Sequence, residues 1–98
     1  MAVDVEDILK TKRQEILRIA EKHGAFDLRV FGSRARGSAG PASDFDFLIK
    51  VGPRHTPWFP GGLVADLEDL LGGKVDVVTE AGLHPLLRDR VLKEAVAL

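Results

Sequence analysis

The sequence predicts an α/β (α+β) fold, in which helices pack on a small mixed β-sheet. The chain has 98 residues, an ordinary size for one domain, so we expect a single domain over residues 1–98 with one modest core. Segments with helical periodicity alternate with short strand-like runs in the order α, β, β, α, β, α. A loop between the first two strands permits antiparallel pairing, and a helical crossover to the third permits parallel pairing.

The N-terminal part of the chain contains one predicted helix and one predicted strand. Apolar residues at three- and four-residue steps predict an amphipathic helix from Asp4 to His23, which Gly24 ends. Residues 28–31 form a short β-type run, and Gly32 stops it. Residues 33–36 could form a helical turn before a loop that is rich in glycine and serine.

The middle of the chain holds the most informative strand. Apolar and polar residues alternate from Asp44 to Val51, with phenylalanines on one face and aspartates on the other. A crossing rich in proline and glycine follows, and a second helix begins near Leu63 and ends at Gly72. Residues 74–79 are predicted to form the third strand.

The last segment is predicted to be a third helix, with Pro85 in its first turn. Its apolar positions are expected to face the core, although the shortness of the chain leaves open that part of them packs on another subunit, in a homodimer or a complex. These apolar positions are Leu86, Leu87, Val91, Leu92, Ala95 and Leu98.

Composition and charge narrow the function classes. The net charge is −1, which argues against broad binding to nucleic acid. There is no run of about 20 apolar residues and no basic start typical of a signal peptide, so we expect a soluble cytoplasmic protein. There is no cysteine, and the three histidines are scattered in sequence, so a bound metal is expected to have oxygen ligands.

Three aspartates are candidate metal ligands. Asp44 and Asp46 project from the same face of one strand about 7 Å apart, and their mutual repulsion would be relieved by a cation between them. Asp76 joins the same face if its strand is adjacent. Such carboxylates suit two Mg²⁺ or Mn²⁺ ions in a phosphoryl transfer, with Asp76 as ligand and possible base.

A phosphate-binding turn is predicted immediately before these acids. Gly32 lets backbone N–H groups approach a phosphate closely, and the Ser33 hydroxyl can donate to it. Arg34 and Arg36 could neutralise charge on a leaving pyrophosphate. Because the two arginines alternate, only one of them is expected to face the site, and the sequence does not tell which.

The combined pattern resembles the DNA polymerase β-type nucleotidyltransferase superfamily. The strings that carry the resemblance are Gly-Ser-Arg-Ala-Arg-Gly from Gly32, Ser-Asp-Phe-Asp-Phe-Leu-Ile from Ser43, and Lys-Val-Asp-Val-Val from Lys74. They are similar to the minimal nucleotidyltransferases, many of which are antitoxins paired with HEPN-domain proteins. The resemblance implies a polymerase β palm-like fold. It also implies that Gly32 and Ser33 bind the triphosphate, that Asp44 and Asp46 bind both metal ions, and that Asp76 binds the catalytic one.

The resemblance therefore implies a nucleotidyltransferase that moves a nucleoside monophosphate, AMP from ATP, to an acceptor hydroxyl and releases pyrophosphate. A tyrosine of a partner HEPN toxin is the acceptor it suggests. Two alternatives stay open. One is a non-catalytic antitoxin that binds nucleotide and neutralises its partner by masking it, and the other is a transferase acting on an antibiotic hydroxyl, whose larger relatives carry a helical domain that this chain lacks.

The aromatic pair in the crossing has a separate interpretation. Trp58 and Phe59 are expected to cover the core, with stacking on a nucleotide base or contact with a partner as the alternative. His23, His55 and His84 are expected to be structural or exposed.

Overall fold

A computed structural model describes residues 7–37, 44–57 and 59–98 of the chain, and it contains helices and strands in alternation. The elements in chain order are α1 (Asp7–Thr11), α2 (Arg13–His23), β1 (Ala25–Phe31), α3 (Ser33–Arg36), β2 (Phe45–Val51), α4 (Gly61–Leu71), β3 (Val75–Thr79), α5 (Pro85–Glu94) and β4 (Val96–Ala97).

The strands form one mixed sheet in the order β3-β2-β1-β4. β1 and β2 are antiparallel, and β2 and β3 are parallel, because α4 carries the chain back to the end of the sheet at which β2 began. The predicted mixed sheet with helices packed on it is confirmed. The structure adds a fourth strand, β4, which pairs antiparallel with β1 at the edge.

The predicted N-terminal helix is present, with an irregularity at Lys12 that divides it into α1 and α2. Hydrogen bonds run through the division, from the Lys12 N–H to the Ile8 carbonyl and from the Ile16 N–H to the Lys12 carbonyl, so the two pieces are nearly continuous. Residues 4–6 of the predicted helix lie outside the described residues. Gly24 ends α2 in the left-handed conformation with φ of 87°, as predicted.

β1 begins three residues earlier than the alternation of the sequence indicated. Its pairing with β2 shifts register between Phe26 and Arg29, and Asp27 has a positive φ of 53°. This irregularity leaves the consecutive residues Phe26 and Asp27 both exposed, which hides the period of two. The sequence pattern therefore resembled a strand only from Leu28 onward.

The last predicted helix is shorter than expected and less buried. α5 ends at Glu94, so the prediction of helix to the C-terminus is wrong, and the Leu98 N–H donates to the Leu28 carbonyl beside β4. Leu86 is 86% exposed and Leu87 is 51% exposed, so the expectation that they belong to the core is also wrong. Pairing with β1 supplies hydrogen-bond partners for the backbone of these last residues.

The core lies between the helices and one face of the sheet. Phe47 and Ile49 of β2 are at most 1% exposed and pack with fully buried residues of the helices. The buried helical residues of this cluster are Leu9, Ile16, Ala20, Ala35, Leu63, Leu67 and Leu71. Asp46 and Lys50 lie on the opposite face of β2, as predicted, but Leu48 between them is fully buried.

The crossing between β2 and α4 is fixed to the end of α2 by a buried histidine. The Nδ1 atom of His23 lies 2.8 Å from Thr56 Oγ1, and its Nε2 atom lies 2.7 Å from Asp66 Oδ2. Phe59 packs against the core, as expected, whereas Trp58 lies outside the described residues. His23 is therefore structural.

Across the parts of the chain that the structure describes, we find no helix with the length and apolar character needed to cross a membrane.

Candidate functional site

The turn after β1 is shaped by Gly32. Its φ of 77° and ψ of −159° belong to a region that only glycine occupies readily, and its carbonyl accepts hydrogen bonds from Ala35 and Arg36 at 3.1 Å each. A Cβ atom on Gly32 would lie 2.4 Å from Oδ2 of Asp46. The missing side chain thus lets the Asp46 carboxylate lie against the turn in which Ser33 begins α3.

Two of the three predicted acids are direct neighbours across parallel strands. Asp46 of β2 pairs in register with Asp76 of β3, so their side chains leave the same face of the sheet. The third acid, Asp44, lies just before β2, two residues from Asp46. The Asp76 side chain is exposed to solvent. The structure therefore brings the acids of two distant segments together beside Gly32.

The electrostatics of Asp46 reflect this crowding. Partial burial raises the pKa of its carboxyl, and the nearby carboxylates of Asp76, Asp44 and Glu94 raise it further, while the positive charge of Arg36 acts in the opposite direction. A cation among these acids would relieve the repulsion. The chemistry of the donor set therefore fits a divalent ion with oxygen ligands.

The acids do not form a finished coordination shell. Among residues 7–37, 44–57 and 59–98, no group of three histidine, aspartate or glutamate side chains is arranged to hold a metal ion. Carboxylates that repel one another are expected to stand apart until a cation draws them together. Asp44, Asp46 and Asp76 remain the side chains that could hold an ion here.

The two arginines of α3 point to different places. Arg34 is 7% exposed, and its guanidinium carbon lies 3.7 Å from the centre of the Phe45 ring. Arg36 is about half exposed and forms an ion pair with Glu94, on the side of the turn where Asp46 lies. Arg36 therefore lies beside the candidate site, whereas Arg34 lies against Phe45, and the contact of either arginine with a phosphate stays a prediction.

Sequence reasoning missed Glu94 at this site. One of its carboxylate oxygens accepts a hydrogen bond from the Gly32 backbone N–H at 2.9 Å, and the other accepts from the Arg36 guanidinium. Burial raises the pKa of Glu94, but the two hydrogen bonds lower it by more, so the pKa lies below its usual value. Glu94 lies 62 positions from Gly32, in a helix with no recognisable motif, so no signal in the sequence connects the two.

The opposite ends of β2 and β3 have a different character. A cavity of about 410 Å³ lies there, lined in part by Phe26, Lys50, Thr79 and Glu80. Arg29 belongs to this end, where it forms an ion pair with Glu80. None of the predicted site residues lines this cavity.

Comparison with known proteins assigns the chain to a family. Residues 10–98 match the nucleotidyltransferase domain family. A Methanocaldococcus jannaschii protein that is provisionally named a protein adenylyltransferase is 40% identical over 84 residues, which are 86% of this chain and 90% of that protein. The Thermococcus cleftensis protein adenylyltransferase MntA is 33% identical over 93 residues, which are 95% of this chain and 91% of that protein.

Solved structures agree with this assignment. One, described as a provisionally assigned minimal nucleotidyltransferase, has 42% sequence identity and a TM-score of 0.82, and the match covers 100% of this chain and 97% of that one. A toxin-antitoxin structure with AMP-PNP has a TM-score of 0.71 at 20% identity, covering 90% of this chain and 70% of that one, and it supports the fold alone. The chain belongs to the nucleotidyltransferase domain family, and within it to the minimal nucleotidyltransferases that resemble protein adenylyltransferases.

Proposed function

We propose that this nucleotidyltransferase moves AMP from ATP to a hydroxyl group of a partner protein and releases pyrophosphate. The observation that carries the proposal is the in-register pair of Asp46 and Asp76 beside the Gly32 turn. It places acidic side chains next to backbone and guanidinium donors that suit a triphosphate. The names of the relatives support AMP as the group transferred and a protein as the acceptor.

The residues of the turn would bind and orient the triphosphate. We expect the Gly32 N–H and the Ser33 hydroxyl to donate to phosphate oxygens, and we expect Arg36 to balance the charge that develops on pyrophosphate as it leaves. Two Mg²⁺ or Mn²⁺ ions, held by Asp44, Asp46 and Asp76, would supply charge neutralisation at the phosphates. Asp76 is exposed and can accept the proton of the attacking hydroxyl, whose oxygen forms the new bond to the α-phosphorus.

For the acceptor, we propose a tyrosine hydroxyl on a HEPN toxin. The name of a structure with the same fold, a toxin-antitoxin structure with AMP-PNP, agrees with a toxin as partner, while the choice of a HEPN protein and of tyrosine follows from the family resemblance of the sequence motifs.

Transfer of label from ATP tests the proposal. The chain would be incubated with Mg²⁺, ATP labelled at the α-phosphate and the product of the neighbouring gene, and label on the partner would be located by peptide mapping. We expect label on a partner tyrosine, and loss of labelling with Asp46→Asn or Asp76→Asn. Asp69→Asn is the matched control, because Asp69 is exposed on α4 and makes the same change of charge outside the site.

The same experiment separates catalysis from masking. If no label is transferred with any of the four nucleoside triphosphates, the enzymatic proposal fails. If Asp44→Asn with Asp46→Asn leaves neutralisation of the partner intact, the chain acts by masking, as a non-catalytic antitoxin. If the double substitution abolishes neutralisation while the complex still forms, masking fails and transfer is supported.

A further inference from the structure

The Glu94 carboxylate bridges two donors that the proposed function assigns to the triphosphate. One oxygen accepts from the Gly32 backbone N–H at 2.9 Å, and the other accepts from the Arg36 guanidinium. The Glu94 side chain is only 17% exposed, so it lies within the turn and not on the outer surface. A residue of the last helix thus occupies the donor groups of a turn that lies far away in sequence.

A carboxylate and a phosphate make the same demands on such donors. Both are anions whose oxygens accept hydrogen bonds from backbone N–H groups and from the guanidinium group of an arginine. The Gly32 N–H donates one hydrogen, so it cannot serve the Glu94 carboxylate and a phosphate oxygen equally well at the same time. The negative charge of Glu94 would also repel an incoming triphosphate, as it repels the nearby Asp46 carboxylate.

Glu94 is attached to a weakly held part of the structure. It is the last residue of α5, which is exposed along most of its length, including Leu86 and Leu87. β4 follows after one residue and is two residues long, with the pairs Arg29–Ala97 and Val30–Val96. A short edge strand of this kind opens at low cost in free energy.

We propose that Glu94 is an internal competitor of the triphosphate, whose carboxylate holds Gly32 and Arg36 until a nucleotide displaces it and loosens the C-terminal segment α5–β4. The proposal rests on the proposed function, because it takes the Gly32 turn to be the triphosphate site. In this proposal Glu94 lowers the affinity of the site for the nucleotide. Binding of the nucleotide in turn changes how firmly α5, with its exposed face, is held.

Binding of inorganic tripolyphosphate tests the competition without a base, a sugar or an acceptor. We would measure its Kd by calorimetry at constant ionic strength for the intact chain and for Glu94→Gln, which keeps the shape of the side chain and removes its charge. Since the lost contact is a partly exposed ion pair with one charge-assisted hydrogen bond, we expect Glu94→Gln to bind about five- to tenfold more tightly.

Two further variants keep this test decisive. Asp89→Asn removes the same charge from an exposed position of α5 and should change the Kd less than about twofold, since screening weakens distant surface charges. Glu94→Asp keeps the charge and should bind more weakly than Glu94→Gln. Equal or weaker binding by Glu94→Gln than by the intact chain overturns the proposal, because it would mean that Glu94 supports the Gly32 turn and does not compete with phosphate for its donors.

Hydrogen exchange gives a second readout. Saturating tripolyphosphate should speed exchange of the Leu98 amide, which donates to the Leu28 carbonyl in the free protein, while the amides of β2 are unchanged. Unchanged or slower exchange at Leu98 would refute the release of the segment. If Glu94→Gln binds tripolyphosphate more tightly but the intact chain transfers no label to a partner, the proposed function fails and the competition by Glu94 stands. If label is transferred but Glu94→Gln does not bind more tightly, the proposed function stands and the competition fails.

Discussion

Replacing Gly32 with alanine changes both the backbone and the acidic group at once. The native φ of 77° with ψ of −159° is strained for any residue with a side chain, and the cost is about 1–3 kcal/mol. The new Cβ would also lie 2.4 Å from Asp46 Oδ2, a distance that real Cβ atoms do not tolerate, so the carboxylate must move.

Two other glycines separate these effects. Gly37 has nearly the same φ, 76°, and no atom of the described residues lies within 4 Å of the position a Cβ would take, so we expect Gly37→Ala to carry only the backbone penalty of about 1–2 kcal/mol. At Gly24 a Cβ would lie 2.1 Å from the Arg54 carbonyl oxygen, so Gly24→Ala should destabilise the chain strongly without touching Asp46. For a domain of this size, each 1 kcal/mol lowers Tm by roughly 4–8 °C.

Thermal unfolding and label transfer would be measured on the three variants together. We expect Gly32→Ala to lose about a hundredfold in transfer rate at a temperature where it remains folded, since misplacing a reacting group by about 1 Å has that effect. Gly37→Ala should keep nearly normal activity despite a lower Tm, and Gly24→Ala should keep normal activity per folded molecule. Transfer by Gly32→Ala within about twofold of the intact chain would refute the placement of Asp46 in the active site.

Three further predictions concern single side chains. Asp76→Asn should reduce transfer by at least about a hundredfold, as expected for loss of a proton acceptor. It should not lower Tm, because Asp76 is exposed and repels Asp46. A clear drop in Tm would assign Asp76 a structural role. Arg34→Ala should lower the free energy of unfolding by about 1–2 kcal/mol, measured in urea, because its buried guanidinium stacks on Phe45; an unchanged urea midpoint would contradict this. The hydrogen bond from His23 lowers the pKa of Asp66. The ionised Asp66 carboxylate therefore stabilises the folded chain fully above the usual aspartate pKa, and this contribution is lost as pH falls through the lowered pKa. The advantage of the intact chain over Asp66→Asn in urea midpoint should therefore shrink in acid, and a gap that stays constant with pH would count against it.

Local patterns in the sequence were sufficient to predict most elements and to expect Asp46 and Asp76 on one face of the sheet. Alternation along β2 predicted which side of the strand Asp46 lies on, and Gly24 and Gly72 predicted two helix ends correctly. The bulge at Asp27 escaped prediction because positive φ at an aspartate leaves no periodic signature. β4 escaped because a two-residue strand is defined by its partner, and only the folded β1 supplies one.

The roles of individual charged residues were less accessible to sequence reasoning. Arg34 and Arg36 sit in one motif, and their different surroundings depend on where Phe45 and Glu94 arrive from later parts of the chain. Glu94 itself could not be identified, since contacts between distant segments follow from topology and not from local spacing.

The alternation of Phe45 and Asp46 along β2 has a consequence for molecules that fold incorrectly. A slip of β2 by one position would turn the Asp46 carboxylate into the apolar interior and expose the aromatic ring of Phe45 to water. The free-energy penalty for that error is large, so misregistered chains are eliminated as unstable species and do not accumulate as folded but inactive protein. Preparations of the folded protein should therefore titrate as a uniform population of active sites.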